Sequence, residues 1–128
     1  MSRKRSPTLT DAELRLMRVL WDRGCGTVGD VEGQLGIAEP LAYKTILTIM
    51  RILEAKGYVR HEKQGRAFVY HPVIDRNGAR RSALRHVLNR FFDNSPEALM
   101  LNLLQDEAVD GQELERLRTL LEANGRRS

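Results

Sequence analysis

The chain has 128 residues, 41% hydrophobic and 30% charged, which is the size and composition of one ordinary folded domain or two small ones and excludes a large multidomain enzyme. A single cysteine, Cys25, excludes an internal disulfide, and it has no partner at zinc-ligand spacing; no apolar run reaches the length of a bilayer span. The net charge of +4 is unevenly spread: 15 Lys and Arg stand against 9 Asp and Glu through Arg81, and 6 against 8 thereafter.

The N-terminus, Met1-Ser2-Arg3-Lys4-Arg5, lacks an apolar signal core, so the sequence predicts a cytoplasmic protein beginning with a flexible basic arm over residues 1–8. Leu9-Thr10-Asp11-Ala12-Glu13-Leu14 combines a T-x-x-E capping box with a flanking hydrophobic pair, which starts a first helix at Thr10. Leu14, Met17, Leu20 and Trp21 share its apolar face, and Gly24-Cys25-Gly26 ends it near Arg23. Thr27 and Val28 read as a short extended piece, followed by a brief second helix through Asp30, Val31 and Leu35.

Pro40 permits a third helix just after it, in which Ile46, Ile49, Met50 and Leu53 form a buried stripe. Lys44, Leu47, Thr48 and Arg51 occupy the opposite face, with Tyr43 and Thr45 near its start, and Lys56-Gly57 ends it. Residues 58–61 and 67–70 favour β structure and enclose Gly65, a hairpin with Lys63 and Arg66 at or near its tip. Three helices and a basic hairpin make a winged helix-turn-helix over residues 9–73.

Beyond Pro72 the pattern is helical. Leu84, Val87, Leu88, Phe91 and Phe92 lie on one apolar face of a helix that begins near Asp75 and stops at Asn94. Ser95-Pro96 opens a fifth helix bearing Leu99, Met100, Leu103 and Leu104, which ends near Asp106. A second capping box within Val109-Asp110-Gly111-Gln112-Glu113-Leu114 opens a sixth, with Leu114, Leu117, Leu120 and Leu121 as its stripe. These helices carry more large apolar residues than a three-helix tail can hide, so residues 74–125 are expected to pair with a second copy as a dimerisation domain. The expected contact residues are Leu84, Val87, Leu88, Phe91, Phe92, Leu99, Leu103, Leu114, Leu117 and Leu121.

Hydroxyl, ammonium and guanidinium groups on a helix anchored by its other face are what major-groove readout requires. Lys44, Thr45, Thr48 and Arg51 are therefore candidate base-edge contacts. Tyr43 is a candidate for a thymine methyl or a phosphate, or else packs on the second helix. Lys63 and Arg66, with His61 beside them, are candidate phosphate contacts, and Arg5 with its basic neighbours a candidate arm over the backbone or minor groove. The plainer alternatives stay open: a solvated helix face, and an N-terminal run that serves solubility. A winged-helix module whose basic face docks on an acidic protein is the alternative from another functional class.

His61, His71 and His86 are dispersed, with no i, i+4 metal clamp, and Cys25 has only Arg23 nearby to activate it. Neither a metal nor a cofactor is expected. Nucleophile elbow, P-loop, dinucleotide fingerprint and His-Glu metal motifs are all absent from the sequence, which argues against an enzyme.

The run Leu9-Thr10-Asp11-Ala12-Glu13 with Val19-Leu20-Trp21, then residues 42–48 and 53–57, Phe91-Phe92-Asp93-Asn94-Ser95-Pro96 and residues 113–117, resembles the penicillinase-repressor (BlaI/MecI) family of bacterial transcriptional repressors. The resemblance implies a homodimer on a palindromic double-stranded operator. It also implies a membrane-bound β-lactam sensor-protease as an upstream partner, with repression relieved by proteolysis in the dimerisation domain. The resemblance implies that the best-known members are cut at an Asn followed by an aromatic residue, and the matching positions are Asn102 and Leu103. Leu103 departs from the family's Phe, and Ile52 from its usual Arg. The tail after Glu122 lacks the cysteines of copper-responsive relatives.

Overall fold

The computed structural model describes residues 8–37, 39–105 and 110–125. The chain divides into two compact units, residues 1–86 and 87–128. In chain order the elements are α1 (Asp11–Arg23), α2 (Val28–Leu35), α3 (Tyr43–Lys56), β1 (Val59–Gln64), β2 (Ala67–Pro72), α4 (Arg76–Phe91), α5 (Pro96–Gln105) and α6 (Gly111–Gly125). Among the described residues, six helices and one antiparallel hairpin give the mainly helical, winged helix-turn-helix architecture.

Thr10 caps α1: its hydroxyl accepts from Glu13 N–H at 3.1 Å, and the Glu13 carboxylate accepts from Thr10 N–H at 2.8 Å. The inward face of α1 is Leu16, Met17 and Leu20, all fully buried, whereas Leu14 and Trp21 are only half-buried. Leu16 was missed because Leu14, paired with Leu9 at the helix start, drew the apolar face two positions too early. A second correction concerns Val28, which is helical; only Thr27 is extended, with φ of -82° and ψ of 168°. Thr27 is the N-cap of α2, exchanging hydrogen bonds of 3.0 Å with Asp30, and Val28 is its first residue. The strand-paired position is Gly26, whose N–H and carbonyl pair with Tyr70 at 3.0 and 2.8 Å as a one-residue third strand.

The core of the first unit joins Leu16, Met17 and Leu20 with Val28 and Val31 of α2 and with Ile46, Met50 and Leu53 of α3. Tyr58, Val59 and Tyr70 close it from the hairpin. Each fully buried aliphatic side chain contributes about 1.5–3 kcal/mol of transfer free energy, so this cluster is what holds α3 in place. Two polar ties supplement it. Lys56 Nζ at the end of α3 lies 2.8 Å from Glu13 Oε1, and Trp21 Nε1 donates to the Ile74 carbonyl at 2.8 Å.

α4 starts after Asp75, whose carboxylate accepts from Gly78 N–H at 2.6 Å. It ends where Asp93 and Asn94 take positive φ of 48° and 61°, with the N–H groups of Phe92 and Asn94 both donating to Leu88 O. Ser95 and Asp110 cap α5 and α6 through bonds to Ala98 and Glu113 N–H. None of the described residues of α4, α5 or α6 is buried. No helix of the described residues is long and apolar enough to cross a membrane.

Candidate nucleic-acid interface

The geometry starts with α2 and the connector to α3. Arg15 of α1 holds that connector by donating to the Glu39 carbonyl and by pairing with its carboxylate at 3.6 Å. α3 then begins at Ala42, an N-cap without a side-chain bond. With Ile46, Met50 and Leu53 buried and Ile49 half-buried, the opposite side is fixed outward: Lys44, Thr45, Thr48 and Arg51 are exposed. Tyr43 is 51% exposed and is not among the side chains packed against the core. Thr48 Oγ1 donates to Lys44 O at 3.0 Å, which leaves its methyl and an acceptor lone pair for an outside contact. Ile52, the departure from the family pattern, is 42% exposed on the same helix.

The hairpin register pairs Gln64 with Ala67, so the tip is the two-residue turn Gly65-Arg66, where Gly65 takes φ of 63°. Directly opposed residues share a face, which puts His61 and Tyr70 with Lys63 and Phe68. His61 also touches α3, so this is the wing face on the α3 side. Its Nδ1 lies 2.7 Å from Glu54 Oε2, its N–H donates to the same oxygen at 3.2 Å, and its ring meets Phe68 edge-on at 4.9 Å. The structure therefore sets His61 as a bolt between wing and helix, apart from the exposed tip cation Arg66.

Charge sorts the cations of the first unit. Arg15, Arg23, Lys56, Arg60 and Arg76 are each within ion-pair distance of a carboxylate. Lys44, Arg51, Lys63 and Arg66 make no ion pair among the described residues, and all four lie exposed on α3 or the wing. Arg60, on the other wing face, is neutralised by Glu62 at 2.6 Å; that hydrogen bond and charge hold the Glu62 carboxyl below its ordinary range. Four uncompensated cations thus lie together on α3 and the wing, where they suit a row of phosphates, while Arg18, Arg80, Arg81 and Arg85 of the first unit also make no ion pair among the described residues.

Two residues of this junction escaped the sequence reading. Glu54 holds His61, and Tyr70 is 3% exposed beneath the wing. Burial raises the Tyr70 phenol, and the Glu54 carboxylate and Tyr43 add to it while Arg51 opposes them. Glu54 carried one available signal: an acid in the last turn of a helix faces the negative dipole end and needs a cationic or donor partner. Cys25 is half-buried, and Arg23 Nε donates to its carbonyl at 3.2 Å while the guanidinium pairs with Asp30. Arg5 lies outside the described residues.

In the second unit and its approach, Leu84, Phe91, Leu103, Leu114, Leu117 and Leu121 are exposed, while Val87, Leu88, Phe92 and Leu99 are half-buried. Met100, Leu101, Leu104 and Leu120 are exposed as well, which extends the apolar surface past the residues singled out for pairing. Asn102 and Leu103 are exposed in the last turn of α5.

The penicillinase repressor family profile matches residues 9–123. The penicillinase repressor of Bacillus licheniformis is 33% identical over 124 residues, covering 97% of each chain. The methicillin resistance regulatory protein MecI of Staphylococcus aureus strain N315 is 21% identical over 113 residues, covering 88% of this chain and 92% of that one. Among solved structures, the DNA binding domain of the repressor BlaI is 37% identical with a TM-score of 0.53, covering 59% of this chain and 93% of that one.

Proposed function

Because the chain belongs to the penicillinase repressor family, we propose that it is a DNA-binding transcriptional repressor that grips a palindromic operator as a dimer. The single observation that carries the DNA reading is the set of four cations without acidic partners among the described residues, Lys44, Arg51, Lys63 and Arg66, on the exposed side of α3 and the wing. In this reading α3 enters the major groove, with Lys44, Thr45, Thr48 and Arg51 at base edges and Tyr43 at a methyl or phosphate. Lys63 and Arg66 lie along phosphates, Arg5 extends the contact from the basic arm, and His61 sets the wing's angle through Glu54.

Residues 9–73 serve as the DNA-binding domain and residues 74–125 as the dimerisation domain. The many exposed large apolar residues of α4, α5 and α6 support the second assignment, since an excess of such surface marks protein contacts. Two half-site contacts linked in one dimer reinforce each other through effective concentration, so whatever separates the copies ends repression. Scission between Asn102 and Leu103 by a sensor-protease would do this. The bond lies near the end of α5, where fraying of one turn suffices to present extended backbone.

The test is fluorescence anisotropy of a labelled duplex covering the promoter beside the protein's own gene, against a scrambled duplex, at several salt concentrations. The promoter is expected to bind more tightly, with log K falling in log salt by about 0.9 per phosphate contacted. Lys63→Ala and Arg66→Ala should each lower that slope by about 1, whereas Lys44→Ala or Arg51→Ala should cost about 1–3 kcal/mol and relax base preference. Equal weak binding to both duplexes, with slopes unmoved by the wing variants, would overturn the reading in favour of a protein-docking module.

A further inference from the structure

A second group of cations in the first unit also lacks ion-pair partners among the described residues, and two of its members, Arg18 and Arg80, meet at a cavity. Between α1 and the first two turns of α4 lies a partly enclosed hollow of about 280 Å³. Its lining is largely apolar, with Leu14, Ala79 and Ala83 beside the indole of Trp21. Leu9, Arg18, Arg76 and Arg80 complete it.

The three arginines are not equivalent. Arg76 is committed: its guanidinium sits 5.5 Å from the Trp21 ring centroid and pairs with Asp22 at 2.9 Å. Arg18 and Arg80 retain uncompensated charge. Trp21 has already given its only polar hydrogen to the Ile74 carbonyl, so what it offers the cavity is ring surface. Ala79 and Ala83, one turn apart on α4, leave the space that larger side chains would fill.

A concave apolar hollow edged by planar cations matches a small anion with a flat hydrophobic body. The duplex phosphates of the proposed interface offer no such body, so this cavity calls for a different partner. We propose that it binds a small aromatic or cyclic carboxylate, the ring against Trp21 and the alanines and the carboxylate on Arg18 and Arg80. The volume admits one or two rings. This inference stands independently of the DNA-binding reading.

Trp21 is the only tryptophan in the chain, so its fluorescence reports on this cavity alone. The full chain would be titrated with benzoate, with benzyl alcohol as the uncharged analogue and acetate as the ringless one. Benzoate should give a saturable change, and the other two little or none. Arg18→Gln and Arg80→Gln should each weaken benzoate about tenfold, the value of one charge-assisted contact. Ala83→Leu should abolish the response while circular dichroism and melting stay as in the wild type, and Arg118→Gln in α6 should bind normally. Absence of saturation up to about 10 mM, beyond what nine non-hydrogen atoms in a fitted site require, would overturn the proposal. So would benzyl alcohol matching benzoate, or wild-type affinity in both Arg80→Gln and Ala83→Leu.

Discussion

Replacing Glu13 by Gln tests whether the start of α1 and the end of α3 are held by one buried carboxylate. Glu13 is 4% exposed, and its Oε1 accepts from both Thr10 N–H and Lys56 Nζ at 2.8 Å. Burial alone would raise this carboxyl. The hydrogen bonds from Lys56 and Thr10 and the Lys56 charge outweigh it and hold the group below its ordinary value of 4.5. Gln keeps the size and the acceptor for Thr10 but leaves Lys56 without its anion. Breaking a fully buried pair costs about 3–5 kcal/mol, but the Lys56 side chain keeps 24% exposure and can turn toward water. The expected loss is therefore roughly 1–2 kcal/mol, a fall in Tm of about 4 °C or more. A depressed folded-state pKa stabilises fully above the unfolded value and loses that contribution as pH falls through the folded value. Urea titrations of both proteins should thus differ by a constant amount around neutral pH and converge in acid below about pH 4.5. A difference under about 0.5 kcal/mol at neutral pH, or one that widens in acid, would refute the reasoning.

Three further outcomes are expected. Glu54→Ala releases His61 and the wing, so operator affinity should fall roughly three- to tenfold while the ratio between operator and mismatched duplex stays the same in anisotropy. A change in that ratio would instead place Glu54 at the bases. Gly57 ends α3 at φ of 89°, and Gly57→Ala should cost about 1–2 kcal/mol in urea unfolding, because a Cβ is disfavoured in that conformation. Leu117→Asp, at a 38% exposed position of α6, should turn a dimer into a monomer at micromolar concentration in sedimentation velocity; a wild type that is itself monomeric there would remove the dimer.

What was legible in the sequence was what is local. The Thr10 cap, the Ile46, Met50 and Leu53 stripe and the Gly65 turn each rest on residues within one or two turns of one another, and the structure holds all three. The pairing of Gly26 with Tyr70 joins positions far apart in the chain and is not legible locally, whereas the Thr27 and Asp30 cap that makes Val28 helical is local but reads as an extended piece until its partner is seen. Lys56 on Glu13 and Trp21 on Ile74 are likewise long-range and leave no periodic trace. At the candidate interface the exposed face of α3 was visible from its buried counterpart, except at Leu47, which packs half-buried against the core. The hold of Glu54 on His61 was not, since a histidine amid basic residues reads as one more cation until its partner is placed.

The hairpin has one more consequence. β2 is bridged to Gly26 only at Tyr70, and β1 pairs with no strand but β2, so among the described residues neither outer margin carries a full ladder, although the His61 N–H of β1 is taken up by Glu54. Bare strand margins invite self-association into extended sheets. Arg60, Glu62 and Lys63 line β1, and Arg66 occupies the turn. The same side chains proposed to meet phosphate thus also discourage one wing from zipping onto another, which gives the basic wing a role in keeping the protein dispersed before it ever finds its target.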